Sequence, residues 1–181
     1  MSAYRILKSR NDLNARDETG YTLAMYAGKW NDTDVISSLH ADGIDLTLPG
    51  SKYDWTPLHI AATDMAHEAM SLLLELDHPV EVRDALGETP LHKSCRRVDM
   101  TGVEILLNAG ADINAHDTGG RTPLFFAIDD EDGSYELVVY LLGRGADPRS
   151  TPEVSDRLKG RLEFTDDARI VDLILGKLPS S

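Results

Sequence analysis

The sequence feature that most constrains the fold is a four-residue pattern that returns at an almost fixed interval. It reads Thr-Pro-Leu-His at residues 56–59 and 89–92, and looser copies occupy residues 22–25 and 122–125. Successive threonines of the pattern are 34, 33 and 33 residues apart. A steady period of this length is typical of repeat proteins, in which each unit packs only against its neighbours. The sequence therefore predicts a solenoid.

Each copy of the pattern carries residues with which a helix begins. Thr can cap a helix N terminus, and Pro in the first helical position loses nothing because its missing N–H would be unpaired there. The Leu that follows begins a buried stripe. Farther along each unit, apolar residues recur at helical spacing, as Val35, Ile36 and Leu39 do before Gly43 ends the segment. Each unit is therefore predicted to contain two helices.

A second marker recurs in phase with the first, in residues 108–115 and again in residues 144–147. With both markers over about residues 10 to 150, the sequence resembles the ankyrin-repeat family, whose unit is a β-turn followed by two antiparallel helices. Residues 56–62 match the family's T-P-L-H-x-A opening in full. The resemblance implies an all-α ankyrin-repeat solenoid in which His59 and His92 form hydrogen bonds between neighbouring turns. We therefore interpret both histidines as structural.

The repeat register divides the chain into units of one domain, residues 1–181. We predict an N-terminal half-repeat cap at 1–16, repeats at 17–50, 51–83, 84–116 and 117–149, and a degenerate C-terminal capping repeat at 150–181. The fourth repeat is longer by two residues, which we assign to the acidic turn that begins at Asp129. In the last repeat, Thr151-Pro152 is predicted to open one helix and Thr165 or Asp166 to cap the next, with polar residues such as Arg161 facing water.

The charge is strongly acidic, with 31 Asp and Glu against 18 Lys and Arg and a formal net charge of −13. Such a surface repels nucleic-acid phosphates and anionic lipid heads, and it speeds encounter with a basic protein surface. We therefore expect a protein partner with a basic surface, no nucleic acid, no membrane, and a monomer when unbound. Solubility alone would also account for this charge.

The compartment is predicted from what the sequence lacks. Cys95 is the single cysteine, so an internal disulfide framework is excluded. No stretch approaches the roughly 20 apolar residues that cross a bilayer, and the first residues do not form a signal peptide. These features predict a cytoplasmic protein in which Cys95 is a small buried filler.

No catalytic or metal-binding motif stands out. The sequence has no G-x-S-x-G, no phosphate-binding glycine loop with its Lys and no H-E-x-x-H. The acidic turn at residues 129–132 resembles part of a calcium loop, but the ends of such a loop would fall on Ile128 and Val139, where carboxylates are needed. We therefore predict no enzyme activity, no cofactor and no metal site.

The candidate binding surface follows from the resemblance, because in ankyrin arrays the β-turn fingertips and the exposed side of the first helices line a concave groove. Aromatic side chains there would anchor a partner, acids would attract a basic ligand, and the two adjacent arginines of the third repeat would pair with acids of the partner. The candidate partner-binding residues are Tyr21, Trp30, Tyr53, Trp55, Asp64, Leu86, Glu88, Arg96, Arg97, Arg121, Asp129 and Asp130.

The leading functional hypothesis is a non-enzymatic module that binds a partner protein through this concave face. Its most specific form is an acidic inhibitor or immunity protein that guards against a basic enzyme or toxin. A second hypothesis is a reader of a basic or methyl-lysine tail, which requires the rings of Tyr21, Trp30, Tyr53 and Trp55 to converge. A third is a structural spacer or a fragment of a larger ankyrin protein, as the half-repeat start suggests.

Overall fold

The computed structural model describes residues 13–128, 134–149, 152–163 and 167–176. These residues form ten helices: α1 Leu23–Lys29, α2 Thr33–Ala41, α3 Pro57–Thr63, α4 His67–Glu75, α5 Pro90–Arg96, α6 Met100–Asn108, α7 Pro123–Ala127, α8 Ser134–Gly143, α9 Pro152–Leu162 and α10 Ala168–Leu175. Within the described ranges the only β-structure is a pair of isolated bridges. The predicted all-α class is confirmed.

The first helix of each repeat begins directly after the pattern's Thr. Thr22 is extended, with φ −92° and ψ 166°, and its side chain accepts a hydrogen bond from the Met25 N–H at 3.3 Å. Thr56 and Thr89 have nearly the same backbone conformation, and a Pro follows each. Because Pro fixes φ near the helical value and has no N–H to leave unpaired, it favours a helix start here.

His59 joins the second repeat to the third. The backbone N–H of Thr56 lies 3.2 Å from His59 Nδ1. A backbone N–H can only donate, so Nδ1 is the acceptor and the neutral ring carries its proton on Nε2. That Nε2–H donates to the carbonyl of Glu88 at 3.0 Å. Burial lowers the pKa of His59 to about 4, so the ring is neutral at pH 7.

His92 repeats this arrangement one unit later, and the fourth repeat lacks it. The Thr89 N–H donates to His92 Nδ1 at 3.0 Å, and His92 Nε2 donates to the Arg121 carbonyl at 3.2 Å. In the fourth repeat the His is replaced by Phe125, and the buried Thr122 hydroxyl has no hydrogen-bond partner within the described part of the chain. The structural interpretation of both histidines is confirmed by these contacts.

The helices form two layers. The first helices α1, α3, α5 and α7 pack against one another in order, and the second helices α2, α4 and α6 form the other layer. The largest fully buried side chains include Leu58, Leu91, Leu106 and Leu124, which lie on α3, α5, α6 and α7 in one continuous core. Cys95 is fully buried among them, and burial raises the pKa of its thiol, which agrees with its predicted role as a filler.

The turns before the first helices form four finger loops, at residues 17–21, 50–55, 84–88 and 117–121. Each loop is closed by a backbone hydrogen bond between its first N–H and its last carbonyl, at 2.7 to 3.0 Å. Backbone hydrogen bonds also join successive loops, from Ser51 N to Gly20 O (3.0 Å), Ala85 N to Tyr53 O (2.8 Å) and Thr118 N to Leu86 O (2.9 Å). The fingers therefore form one connected edge alongside the first-helix layer.

The C-terminal unit corrects two expectations. Its last helix is capped by Asp167, whose carboxylate accepts from the Arg169 N–H at 2.9 Å, so the prediction of Thr165 or Asp166 as cap is wrong. The later start lets Ile170 and Ile174 face the core, where both are fully buried. Arg161 was expected to face water, but its Nε–H donates to the Ile128 carbonyl at 2.7 Å.

Several predicted features lie outside the described residues. They are most of the half-repeat cap, the acidic turn with Asp129 and Asp130, and Thr151. Within the described residues, no helix is both long enough and apolar enough to cross a bilayer.

Candidate protein-binding face

The finger loops and the exposed side of the first-helix layer form the candidate face. Each finger that begins with Asp is built around that carboxylate. Asp84 Oδ1 accepts from the backbone N–H groups of Leu86 at 2.8 Å and Glu88 at 2.9 Å. Asp117 binds its own loop in the same way. This local scaffold fixes which side chains of the loop project outward and which turn toward the helices.

Glu88 turns inward, so its prediction as an exposed fingertip residue is wrong. It is 0% exposed, and its carboxylate is bound by the Lys93 ammonium and by the Arg96 guanidinium. Both partners lie on α5, close to the loop that precedes it. Burial alone would raise the pKa of Glu88, but the hydrogen bonds and charges of Arg96 and Lys93 outweigh it and lower the pKa.

Lys93 also lies on the candidate face, although the repeat register did not select it. It is only 3% exposed, its Nζ lies 2.6 Å from Asp84 Oδ2, and the same Nζ lies 4.8 Å from the centre of the Trp55 ring. The Trp55 indole N–H donates to the same Asp84 oxygen at 3.0 Å. A signal existed in the sequence, because Lys93 takes a repeat position that Ile60 occupies in the second unit.

Two arginines complete this network. The Arg96 guanidinium lies 4.3 Å from the centre of the Phe126 ring as well as on Glu88. Arg121 Nε donates to Asp117 Oδ2 at 2.6 Å, and its guanidinium lies 4.9 Å from the same Phe126 ring. The expectation that Arg96 is reserved for acids of a partner is therefore wrong, because its charge is already paired.

We call this network the charged centre. It consists of Asp84, Glu88, Lys93, Arg96, Asp117 and Arg121, with three carboxylates facing three cations. Because these charges are paired with one another, the middle of the face presents no excess charge of either sign. Arg97 and Asp64 lie outside the charged centre with exposed side chains.

Two of the candidate residues form an exposed apolar ridge on the fingers, which we call the fingertip ridge. It consists of Tyr53, 42% exposed, and Leu86, 46% exposed. The hydrogen bond between the Ala85 N–H and the Tyr53 carbonyl holds the two loops side by side. Trp55 lies behind Tyr53, with ring centres 5.9 Å apart, and is half-buried against the charged centre.

A second group of rings lies at α1, and we call it the aromatic row. It consists of Tyr21, Tyr26 and Trp30. The Tyr21 and Tyr26 ring centres are 5.4 Å apart, and Tyr26 and Trp30 are stacked with centres 5.0 Å apart. Trp30 is 65% exposed. Burial raises the pKa of Tyr21, and the charges of Asp64 and Asp17 raise it further, so both carboxylates lie near its ring.

The four rings required by the tail-reader hypothesis form two separate groups. Tyr21 and Trp30 belong to the aromatic row, whereas Tyr53 and Trp55 contact each other. Across the described residues, no ring contact joins the two groups. The aromatic row instead gains Tyr26, which the sequence analysis did not select. The required convergence of all four rings is therefore not observed.

The described residues also limit the chemistry of the face. They contain no group of three or more His, Cys, Asp or Glu side chains placed to hold a metal ion. The charged side chains at its middle are bound to one another, and its edges expose aromatic and aliphatic side chains beside charged ones. Such an arrangement can bind a surface or a side chain.

Comparison with known proteins agrees with this architecture. A family model described as ankyrin repeats (3 copies) matches residues 2–84 and 64–151. The chain belongs to the ankyrin-repeat family. Ankyrin repeats generally mediate protein–protein interaction, and a family member is typically not catalytic. This identity supports a binding role for the face without naming what it binds.

Relatives with ankyrin repeats come from very different proteins. The chain is 33% identical over 134 residues to the Neurogenic locus Notch protein of Drosophila melanogaster, covering 65% of this chain and 5% of that protein. It is 28% identical over 127 residues to an ankyrin repeat protein of fowlpox virus (strain NVSL), covering 68% and 65%. A second fowlpox ankyrin repeat protein is 32% identical over 128 residues, covering 70% and 37%. The chain thus spans less than two thirds of each of these relatives.

Proposed function

We propose that this chain is a non-enzymatic module that binds a partner protein through the fingers and the first-helix layer. The observation that supports this most is the exposure of large apolar side chains there, at Trp30, Tyr53 and Leu86. Exposed apolar patches often mark interaction sites, and Trp and Tyr supply a disproportionate share of binding energy in interfaces. The bound partner would cover these side chains.

The charged centre supports the same proposal in a different way. Its ion pairs are already formed in the unbound chain, so the side chains at the middle of the face need not rearrange when a partner binds. A preorganised surface loses less freedom on binding than a flexible one. The charged centre therefore acts as a rigid support for Trp55 and for the finger loops that carry the fingertip ridge.

We infer that the partner has a basic surface. Around the face, Glu18, Asp54 and Asp64 are exposed, and the whole chain carries a net charge of −13. Charges of this kind contribute more to the rate of encounter and to selectivity than to final affinity. An acidic inhibitor of a basic enzyme, including an immunity protein for a toxin, is the specific form that this charge favours. A spacer would need neither the charge nor the exposed rings.

The test is capture of partners by the immobilised chain from lysate of its own source. We compare the wild type with the double variant Tyr53→Ser, Leu86→Ser, which removes the fingertip ridge without touching the core. A protein that binds the wild type in a one-to-one complex should bind the variant at least about thirtyfold more weakly, since a hot-spot loss is about 2 kcal/mol or more. Inhibition of that protein's activity would support the inhibitor form.

The matched control is Val139→Ser, which removes an exposed apolar side chain of similar exposure, 43%, from α8. It should leave capture unchanged. Capture is repeated at about 0.1 M and about 1 M salt, where the Debye length falls from about 10 Å to about 3 Å. Equal capture by the wild type and the ridge variant would contradict the proposed face, and capture that does not weaken with salt would contradict a basic partner.

A further inference from the structure

A pocket opens beside the aromatic row at the α1 end of the first-helix layer. Its volume is about 340 Å³, near the lower end of the range of about 300 to 1,000 Å³ for small-ligand sites. It is lined by Ala15, Arg16, Asp17, Leu23 and the three rings of the aromatic row. The lining is therefore mostly apolar, with one carboxylate and one guanidinium at its edge. Such a space fits one long side chain.

The carboxylate of Asp17 is held in place at this pocket. Its Oδ1 accepts from Thr19 N–H at 2.8 Å, the Thr19 hydroxyl at 2.7 Å and Tyr21 N–H at 3.0 Å. Among the described residues its Oδ2 accepts only the Tyr26 hydroxyl, at 2.6 Å, which leaves this oxygen a second acceptor position. These hydrogen bonds, led by that of Tyr26, hold the pKa of Asp17 well below its usual range, so it is charged.

The charge around the pocket favours a cation. Asp17 lines it. Burial is the main cause of the raised pKa of Tyr21, and the charge of Asp64 raises this pKa further. Arg16 is the cation in the lining, but its guanidinium donates to the Pro49 carbonyl at 2.6 Å. The faces of aromatic rings attract cations through their negative quadrupole. The rings and the carboxylate therefore act in the same direction.

We propose that this pocket receives an arginine side chain of the partner protein, with the guanidinium on the aromatic row and one N–H donated to Asp17 Oδ2. This inference rests on the proposed function and names the chemistry at one edge of the face. Tyr26 and Trp30 are stacked at an interplanar angle of 28°, which presents flat surfaces to a planar guanidinium. The apolar lining suits the methylene stem. A quaternary ammonium could not use the free acceptor position of Asp17, because it has no N–H.

The test uses the full chain and four short peptides that are identical except at one position. That position holds arginine, its neutral analogue citrulline, lysine or trimethyl-lysine. The chain has two Trp residues, so the indole N–H signals of Trp30 and Trp55 can be followed separately by NMR, with Trp30→Phe for assignment. The arginine peptide should shift the Trp30 signal and leave the Trp55 signal in place. Citrulline should bind about threefold to tenfold more weakly, as expected for loss of one cation–π contact and one charge pair.

Two variants and one control make the assignment specific. In Trp30→Ala, the arginine peptide should no longer shift the NMR signals of the Tyr21 and Tyr26 rings. The variant should still fold, because the Trp30 side chain is mostly exposed. Tyr26→Phe keeps the ring but removes the hydroxyl that donates to Asp17 Oδ2, so the arginine peptide should bind more tightly. Val139→Ser is the control, because it removes an exposed apolar side chain from α8, outside the candidate face, and should leave binding unchanged.

Each other outcome overturns the inference. Equal binding of arginine and citrulline would exclude a role for charge, and tighter binding of trimethyl-lysine would reassign the pocket to a quaternary ammonium. No shift of Trp30 with any peptide would mean that the pocket does not receive an arginine side chain. Partner capture that depends on Tyr53 and Leu86 but not on Trp30 would reject the pocket and leave the proposed function standing.

Discussion

At the residue scale, the finger loops depend on one position where φ is positive. Three of the four fingers have glycine there: Gly20 at +84°, Gly87 at +74° and Gly120 at +70°. The second finger has Asp54 with φ of 55° in the equivalent place. This left-handed conformation costs an L-residue about 1 to 2 kcal/mol, and Asp tolerates it better than most because its side chain can bond locally. The loops therefore depend on glycine for their shape.

The first prediction compares Gly87→Ala with Gly43→Ala, because both glycines have φ of +74°. An added Cβ at Gly87 would lie 2.9 Å from the Thr118 backbone N, whereas nothing lies within 4 Å of one at Gly43. Both changes should lower the free energy of unfolding by about 1 kcal/mol through φ alone. Gly87→Ala should cost at least about 1 kcal/mol more, because the next finger must shift. Urea unfolding measures the difference, and equal losses would contradict the contact.

The sequence predicts the exposure of single residues better than it predicts their partners. Trp30, Tyr53 and Leu86 were placed on the outer side by the repeat register, and the structure leaves them exposed. Glu88 and Arg96 were placed there by the same register but bind each other, because a polar side chain turns wherever an opposite charge lies within reach. The direction of such a side chain depends on its neighbours in three dimensions, and the repeat register does not give those neighbours. The role of the exposed residues in binding stays a prediction.

At the element scale, the charged centre ties the third finger to α5. Lys93→Met keeps most of the side-chain volume but removes the cation that contacts both Asp84 and Glu88. Breaking a buried ion pair by removing one partner costs about 3 to 5 kcal/mol, because a charge is left unpaired. We expect a loss of that order in the free energy of unfolding, measured by urea denaturation.

Adding Glu88→Gln to Lys93→Met should recover part of that loss, because one of the unpaired carboxylates is then neutral. Arg97→Met is the matched control. Its side chain is exposed and directly follows α5, so its removal should change stability by no more than about 0.5 kcal/mol. A loss below about 1 kcal/mol for Lys93→Met would show that the charged centre does not hold the finger.

The histidines that join successive repeats predict how stability depends on pH. Burial lowers the pKa of both His59 and His92 from 6.5 to about 4. Between these values the unfolded chain binds protons that the folded chain does not, so stability is full above pH 6.5 and falls as the pH drops toward 4. The loss is at most about 3 kcal/mol for each histidine. Thermal unfolding at half-unit pH steps measures it.

The control is the double variant His59→Gln, His92→Gln. It should be less stable at pH 7, because two connections between repeats are lost, but its stability should vary less between pH 6.5 and 4.5. Some slope should remain, since burial also lowers the pKa of His78. Two results would contradict neutral structural histidines. One is a wild-type stability that does not change over this pH window, and the other is a stability that changes as steeply in the variant as in the wild type.

Helix positions could be predicted closely wherever the repeat pattern persists. The pattern predicts a helix that starts after its Thr, and α1 runs Leu23–Lys29 with Thr22 as its cap. The last helix has no copy of the pattern to fix its start, and the adjacent Thr165, Asp166 and Asp167 are all possible caps. Its cap is Asp167 instead of Thr165 or Asp166. Which of these neighbouring residues caps the helix depends on which helix face packs on the core, and this is known only from the packed structure.

At the scale of the whole molecule, the fold class followed from the period and the partner did not. A repeat of 33 to 34 residues fixes how units stack, because each must bury its apolar face on the next. Binding depends instead on which side chains decorate the stacked units, and one architecture supports many partners. The pocket of the aromatic row illustrates this, because Asp17 and Tyr26 meet there only once the first finger has closed.

The net charge of −13 gives the last prediction, which concerns the stability of the whole chain. Mutual repulsion of exposed acids destabilises a compact state, and salt screens it. Raising the salt from about 0.01 M to about 0.15 M shortens the Debye length from about 30 Å to about 8 Å. The carboxylates and Lys93 of the charged centre are buried and hence little screened, and surface ion pairs contribute at most about 1 kcal/mol each. Salt should therefore raise the melting temperature by about 2 to 4 °C, which corresponds to about 1 kcal/mol for a chain of this size.

The variant Glu75→Lys, Glu104→Lys reverses two exposed charges on α4 and α6, away from the fingers, and should show a smaller rise because it carries less repulsion. A melting temperature that falls with salt would mean that attraction between surface charges outweighs repulsion, in which case the excess of acids is locally paired and cannot act at a distance on a basic partner.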